Sequence, residues 1–297
     1  MSSIILGLFM SLGAAEAGEL SWRWEGEQRF RSELVIETPL SFTYIGAANL
    51  EARAVQTVIA AEYRCTPTAV KKGWELDCAY TRVEMKGKAL GKEQEKLNAI
   101  FAEYQRLLSS AHLQIQVRPD GGMRDLDLEG VAKTDARQAE VQEILRMLSR
   151  RVVLPLFVST PKDGVDPGKA WKHSGFHPAF ELLDLASTTG GVVLETQVSK
   201  QVAGTWLLTS QGRGSVATQI EVEGGLGAST MMQVAGESRF DPKLGMVVYS
   251  EFLTVGNRLS STAQVGDPRR YSCGGWVGRL REDGTVEALE GTLKLSP

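Results

Sequence analysis

The chain has 297 residues and a formal net charge of −3, long enough for one large β-domain or two ordinary ones. Hydrophobic residues make up 42% of it and charged residues 23%, a balance that supports a folded core and excludes a largely disordered chain. The near-neutral charge offers no basic field for gripping phosphates, which argues against nucleic acid as a partner.

The N-terminus carries an apolar run from Ile4 to Leu12, and Ala15-Glu16-Ala17 has the A-x-A form accepted by signal peptidase. Residues 1–17 are therefore expected to be a cleaved signal peptide, and the mature protein to be exported, periplasmic or extracellular. The run is too short to cross a bilayer, and no later segment is apolar enough to do so, so no transmembrane segment is expected in the mature chain. No cysteine lies near the cleavage point to receive a lipid anchor.

From Ser21 to about Gly87 the sequence reads as strands, with Trp22 and Trp24 on one face and β-branched runs punctuated by Pro39 and Gly46. Within this stretch Lys71-Lys-Gly73 marks a hairpin turn between Cys65 and Cys78. Facing strands would allow these two to form a disulfide in an oxidising compartment. Cys273 is left over, and is read as a buried thiol in a strand, with an intermolecular or reactive thiol as the alternative.

The period then changes. Between Lys92 and Ser110, Leu97, Ile100, Phe101, Tyr104, Leu107 and Leu108 recur at helical spacing, which predicts an amphipathic helix. A hairpin follows, with Leu113, Ile115 and Val117 alternating along one strand, a turn at Pro119-Asp-Gly-Gly122, and Leu126 and Leu128 on the return. Asp125, Asp127 and Glu129 alternate with those leucines and are assigned to the wet face of the strand. A calcium loop starting at Asp125 would need a carboxylate at its twelfth position, where Ala136 stands.

A second helix is expected after Asp135, which is placed to cap it with Gln138 in capping-box position. Val141, Ile144, Leu145, Leu148 and Val152 form its apolar stripe, and it should stop before Pro155. The turn-rich "STPKDGVDPGKAW" is the best internal boundary, dividing a β-rich half with two helices (18–157) from an antiparallel meander (158–297), with both halves packed as one unit. In the second half, "AGTWLLTSQ" and "GSVATQIEVEG" read as separate strands joined at "SQGRGS".

Catalytic signatures are missing. There is no G-x-S-x-G elbow, no phosphate loop, no dinucleotide-binding glycine motif and no C-x-x-C pair. His173 and His177 stand four apart in "HSGFH", but Gly175 and Pro178 oppose the helix that would aim both at a metal. Neither a metal nor a cofactor is expected.

The opening "SWRWEGE", the strand-turn-strand "LQIQVRPDGGMRDLDLEG" and the helix "QEILRMLSRRVVLPLF" resemble the N-terminal β-barrel of the vitellogenin-type large lipid transfer proteins, over roughly residues 21–157. In that family a hairpin of this form precedes a helix that fills the barrel. The long helical domain that follows there has no counterpart in this sequence, whose second half is similar in texture to exported bacterial β-rich domains of unassigned function.

The expected fold is mainly β (α+β), a large antiparallel curved sheet or open β-barrel with two amphipathic helices. The resemblance implies a lipid as ligand. The corresponding function is a non-enzymatic protein binding a lipid or other apolar small molecule in a sheet/helix cavity, with Trp22, Trp24, Phe101, Tyr104, Ile144 and Leu148 as lining candidates. The alternatives are an envelope module with a filled core that binds a protein partner, and a hydrolase with a dispersed site.

Overall fold

The strand β1 (Gln28–Ile36) points Phe30, Ser32, Leu34 and Ile36 to one buried face, and it is the seam of the molecule. On one side it pairs with β3 (Asn49–Val70), and on the other with β12 (Arg269–Arg279). The computed structural model describes residues 20–37, 39–45, 49–131, 136–161, 165, 168–176, 187–220, 226–260 and 269–287.

Beyond β3 lie β4 (Gly73–Ala89), β5 (His112–Val117) and β6 (Met123–Glu129), while β2 (Leu40–Ile45) pairs with one end of β3. Beyond β12 the chain runs back through β11 (Met246–Ser260), β10 (Leu226–Asp241), β9 (Thr205–Ile220), β8 (Ser187–Val202) and β7 (Ala170–Phe176). Among the described residues the twelve strands form one antiparallel sheet that ends in β6 and β7, so the expected mainly-β fold with a large curved, open sheet and two helices is what the chain adopts.

Helix α1 (Gln94–Ser109) buries Leu97, Ile100, Phe101, Tyr104 and Leu108 of the predicted stripe against β2, β3 and β4, with Leu107 partly buried beside them. Phe101 meets Phe42 edge-on at 5.0 Å, and Tyr104 donates its hydroxyl to Thr43 O at 2.6 Å. Gly87 permits this approach, since a Cβ there would lie 2.8 Å from the Phe101 ring.

Helix α2 (Ala136–Val153) contacts both β6 and β1. Those strands are four places apart in the sheet, roughly 19 Å if it were flat, whereas a helix with its side chains is only about 10–12 Å across. The sheet must therefore curl around α2. The helix also closes an edge: Gln142 Nε2 donates to Leu128 O at 2.9 Å, and Arg146 Nη1 reaches Leu126 O at 3.4 Å. Both acceptors lie on β6, so α2 covers an end strand that would otherwise offer its backbone to another chain. The helix stops at Val153, and the chain tightens into a single 3-10 turn, Leu154–Leu156, that holds Pro155. The proposed Asp135 cap lies outside the described residues.

Cys65 and Cys78 are opposite one another on β3 and β4, both buried, and joined as a disulfide. Asp125, Asp127 and Glu129 are exposed while Leu126 and Leu128 are buried, as their alternation requires. One expectation fails. "SQGRGS" is not a junction, because β9 runs unbroken from Thr205 to Ile220. Gly212 sits mid-strand because a Cβ there would fall 2.8 Å from both Val192 Cγ1 and Leu194 Cδ2. Close packing, not a turn, selects that glycine.

Candidate functional site

The helix-carrying face is filled over β1–β6. The six lining candidates lie in this packed core: Phe101 and Tyr104 on α1, Ile144 and Leu148 on α2, and Trp22 and Trp24 in the segment preceding β1. They belong to one continuous cluster but sit on three different elements. Trp22 stacks on Trp24 at 6.0 Å and meets Phe240 of β10 edge-on, and Trp24 stacks on Phe157 at 5.8 Å. Two hydrogen bonds hold this aromatic segment in place: Arg23 N donates to Gly245 O at 2.7 Å, and the Thr160 hydroxyl donates to Leu20 O at 3.4 Å.

Past α2 the filling changes character. The segment 154–159 crosses the same face as a strap and meets a second apolar cluster on β8, β10 and β11, formed by Val192, Leu194, Met232, Val234 and Phe252. Leu154, Pro155, Phe157 and Val158 on the strap face Leu194 and Phe252 across a small cavity of about 20 Å³.

Two polar side chains complete this seam. Arg118, at the end of β5, donates from Nε to Asp120 Oδ1 at 3.0 Å and from Nη2 to Ser159 Oγ at 2.7 Å. It tethers the strap to the hairpin turn. Gly122 makes room for it, since a Cβ there would lie 2.2 Å from Arg118 Nη2.

His173 enters from β7, with Nε2 3.0 Å from Thr196 Oγ1, which is itself 2.8 Å from Ser210 Oγ. Burial pushes its pKa down to about 4, and Arg118 adds to the effect while Asp120 opposes it. His173 is thus a neutral imidazole at ordinary pH. His177 lies outside the described residues, and no group of histidines, cysteines and carboxylates suited to a metal occurs among those described.

Sequence reasoning missed Arg118 and His173 as neighbours, because they are brought together only by the curl of the sheet. It also missed the buried hydroxyl pairs Thr196–Ser210 and Ser238–Ser250, each at 2.8 Å. Their phase was visible: Thr196 alternates with Leu194 and Val198, and Ser210 with Leu208.

The opposite face of β7–β10 carries a wider, polar groove of about 540 Å³, with Lys172, Glu195, Gln211 and Gln233 on its walls. No helix of the described residues is long and apolar enough to cross a membrane. No protein-family model matches the chain, and no curated protein is similar to it in sequence.

Proposed function

We propose that the protein is an exported, non-enzymatic binding protein that holds a lipid or another apolar ligand on the helix-carrying face, between the 154–159 strap and the second apolar cluster. The observation that carries this reading is the seam itself. Apolar walls from Leu154, Phe157, Leu194 and Phe252 are joined by a few convergent polar groups, Arg118, Ser159 and His173, which is the usual make-up of a small-molecule site.

At about 20 Å³ the closed seam has space for roughly one water. Loading must then separate the strap from Leu194 and Phe252. Arg118 is the tether that would yield, because its contacts to Asp120 and Ser159 are polar and partly exposed. The Cys65–Cys78 disulfide is compatible with the oxidising compartment that export implies.

Native mass spectrometry of protein purified without detergent tests this reading. A non-covalent apolar mass, or saturable binding of a fluorescent fatty-acid probe, is the expected result. A clean apo-protein that binds no apolar probe would overturn it.

The packed burial of Trp22, Trp24, Phe101, Tyr104, Ile144 and Leu148 favours a second reading, an envelope module with a filled core whose function is to bind a protein partner. Recovery of one stoichiometric partner by crosslinking, with no apolar ligand, is the outcome that reading requires.

A further inference from the structure

The polar groove lies away from the helices, and its register explains its shape. Cross-strand rows put Lys172 beside Glu195 and Glu195 beside Gln211, with Arg213 next to Gln233 in the neighbouring row. Ala170 and Ala235 are short enough to leave a floor between these longer side chains. The backbones of β8, β9 and β10 are each paired on both sides, so the groove itself offers no free ladder to a peptide strand; the outer edge of β7 lies to its side. Recognition must come from side chains.

Those side chains favour a neutral, hydroxyl-rich ligand. Gln197, Gln211 and Gln233 each offer a donor and an acceptor from an uncharged amide. Lys172 and Glu195 stand 3.8 Å apart and largely offset one another, and Arg213, the other charged residue on the walls, is itself engaged within the protein, so little free charge is left to attract an acidic polymer. Among the described residues the large apolar ones on the lining are Val193 and Val234, and Val234 belongs to the buried cluster of the other face, which leaves too little for an acyl chain. The amides sit on a regular lattice, roughly 4.8 Å between strands and about 6.7 Å between same-face residues along a strand. Such a lattice suits a stiff chain of hydroxyl-bearing rings.

We propose that this groove is a binding site for a neutral oligosaccharide, independent of what the opposite face holds. Among the described residues no aromatic ring lines it, so binding rests on water-exposed hydrogen bonds and is weak and insensitive to salt.

The test is titration of the full mature protein with cellohexaose and chitohexaose, with an oligogalacturonate as the acidic comparison, followed by amide chemical shifts in β8–β10. Gln197→Ala and Gln211→Ala change exposed residues and should leave the fold intact, which circular dichroism checks. The expected result is saturable, salt-independent shifts with one of the neutral hexasaccharides, weakened about fivefold by each substitution, the loss of one ordinary hydrogen bond. The proposal is overturned by silence with both neutral probes, by affinities that the substitutions leave unchanged, or by salt-dependent binding of the acidic probe alone.

Discussion

Tyr80 on β4 donates its hydroxyl to Ser149 Oγ on α2 at 2.8 Å, a buried bond that ties the helix to the sheet across 69 residues of sequence. Burial holds the Tyr80 pKa well above the usual phenol value, so the bond persists through any ordinary pH. Tyr80→Phe strands Ser149 without a partner and is expected to cost about 1–2 kcal/mol in urea unfolding. Ser149→Ala should cost about the same. The double variant should cost clearly less than the sum, because it removes both polar groups together. Additive losses would mean that the pair is not coupled.

The disulfide offers a stability test of a different kind. Cys65 and Cys78 are 13 residues apart and buried, and closing a loop of that size stabilises a fold by about 2–4 kcal/mol. The Cys65→Ser, Cys78→Ser variant should therefore unfold at a lower urea midpoint with a similar slope. In the native protein, dithiothreitol should reduce the bond only as fast as the sheet opens, which quantitative alkylation and mass analysis would follow. Rapid reduction of fully folded protein would contradict the burial.

These features differ in how far the sequence discloses them. Helix α1 is legible because Leu97, Ile100, Phe101, Tyr104 and Leu108 repeat at a period that only a helix satisfies. The β5–β6 hairpin and the Cys65–Cys78 pairing are legible because a local turn sets the register on either side. The β1–β12 seam is not, since pairing of Phe30 with Arg279 is fixed by the curl of the whole sheet. Gly212 misleads for a related reason: a glycine demanded by Leu194 and Val192 across the sheet looks, along the chain, like a turn. Arg118 and His173 carry no motif, and their meeting depends on that same non-local closure.

The state of His173 sets a pH dependence. Its pKa falls from 6.5 in the unfolded chain to about 4 in the fold, mainly through burial, so folding favours the neutral ring. The contribution to stability is complete above about pH 6.5 and is lost as pH falls through the folded value near 4, because the unfolded state binds the proton first. The full shift corresponds to about 3 kcal/mol. His173→Gln does not titrate and keeps an amide able to reach Thr196. Stability measured from pH 7 to pH 4 should fall less steeply in this variant than in the parent. Parallel curves would show that His173 does not supply the slope.

The seam cavity is bounded by a contact that can be moved in either direction. Gly236 on β10 faces Phe252 on β11, and a Cβ on Gly236 would lie 2.3 Å from the ring. Phe252 is in turn a wall of the cavity opposite Leu154 and Pro155. Gly236→Ala therefore has to displace the ring, at a cost of about 1–3 kcal/mol. Displacement away from β10 carries it toward the strap, so binding of an apolar probe should weaken. Phe252→Ala removes the ring instead, costs about 3–5 kcal/mol, and enlarges the same cavity, so probe binding should strengthen in the fraction that remains folded. Opposite shifts in probe affinity, measured at temperatures where both variants are native by near-ultraviolet dichroism, are what a ligand seated at this seam requires. Equal loss in both variants would reflect destabilisation alone and would move the ligand site away from Phe252.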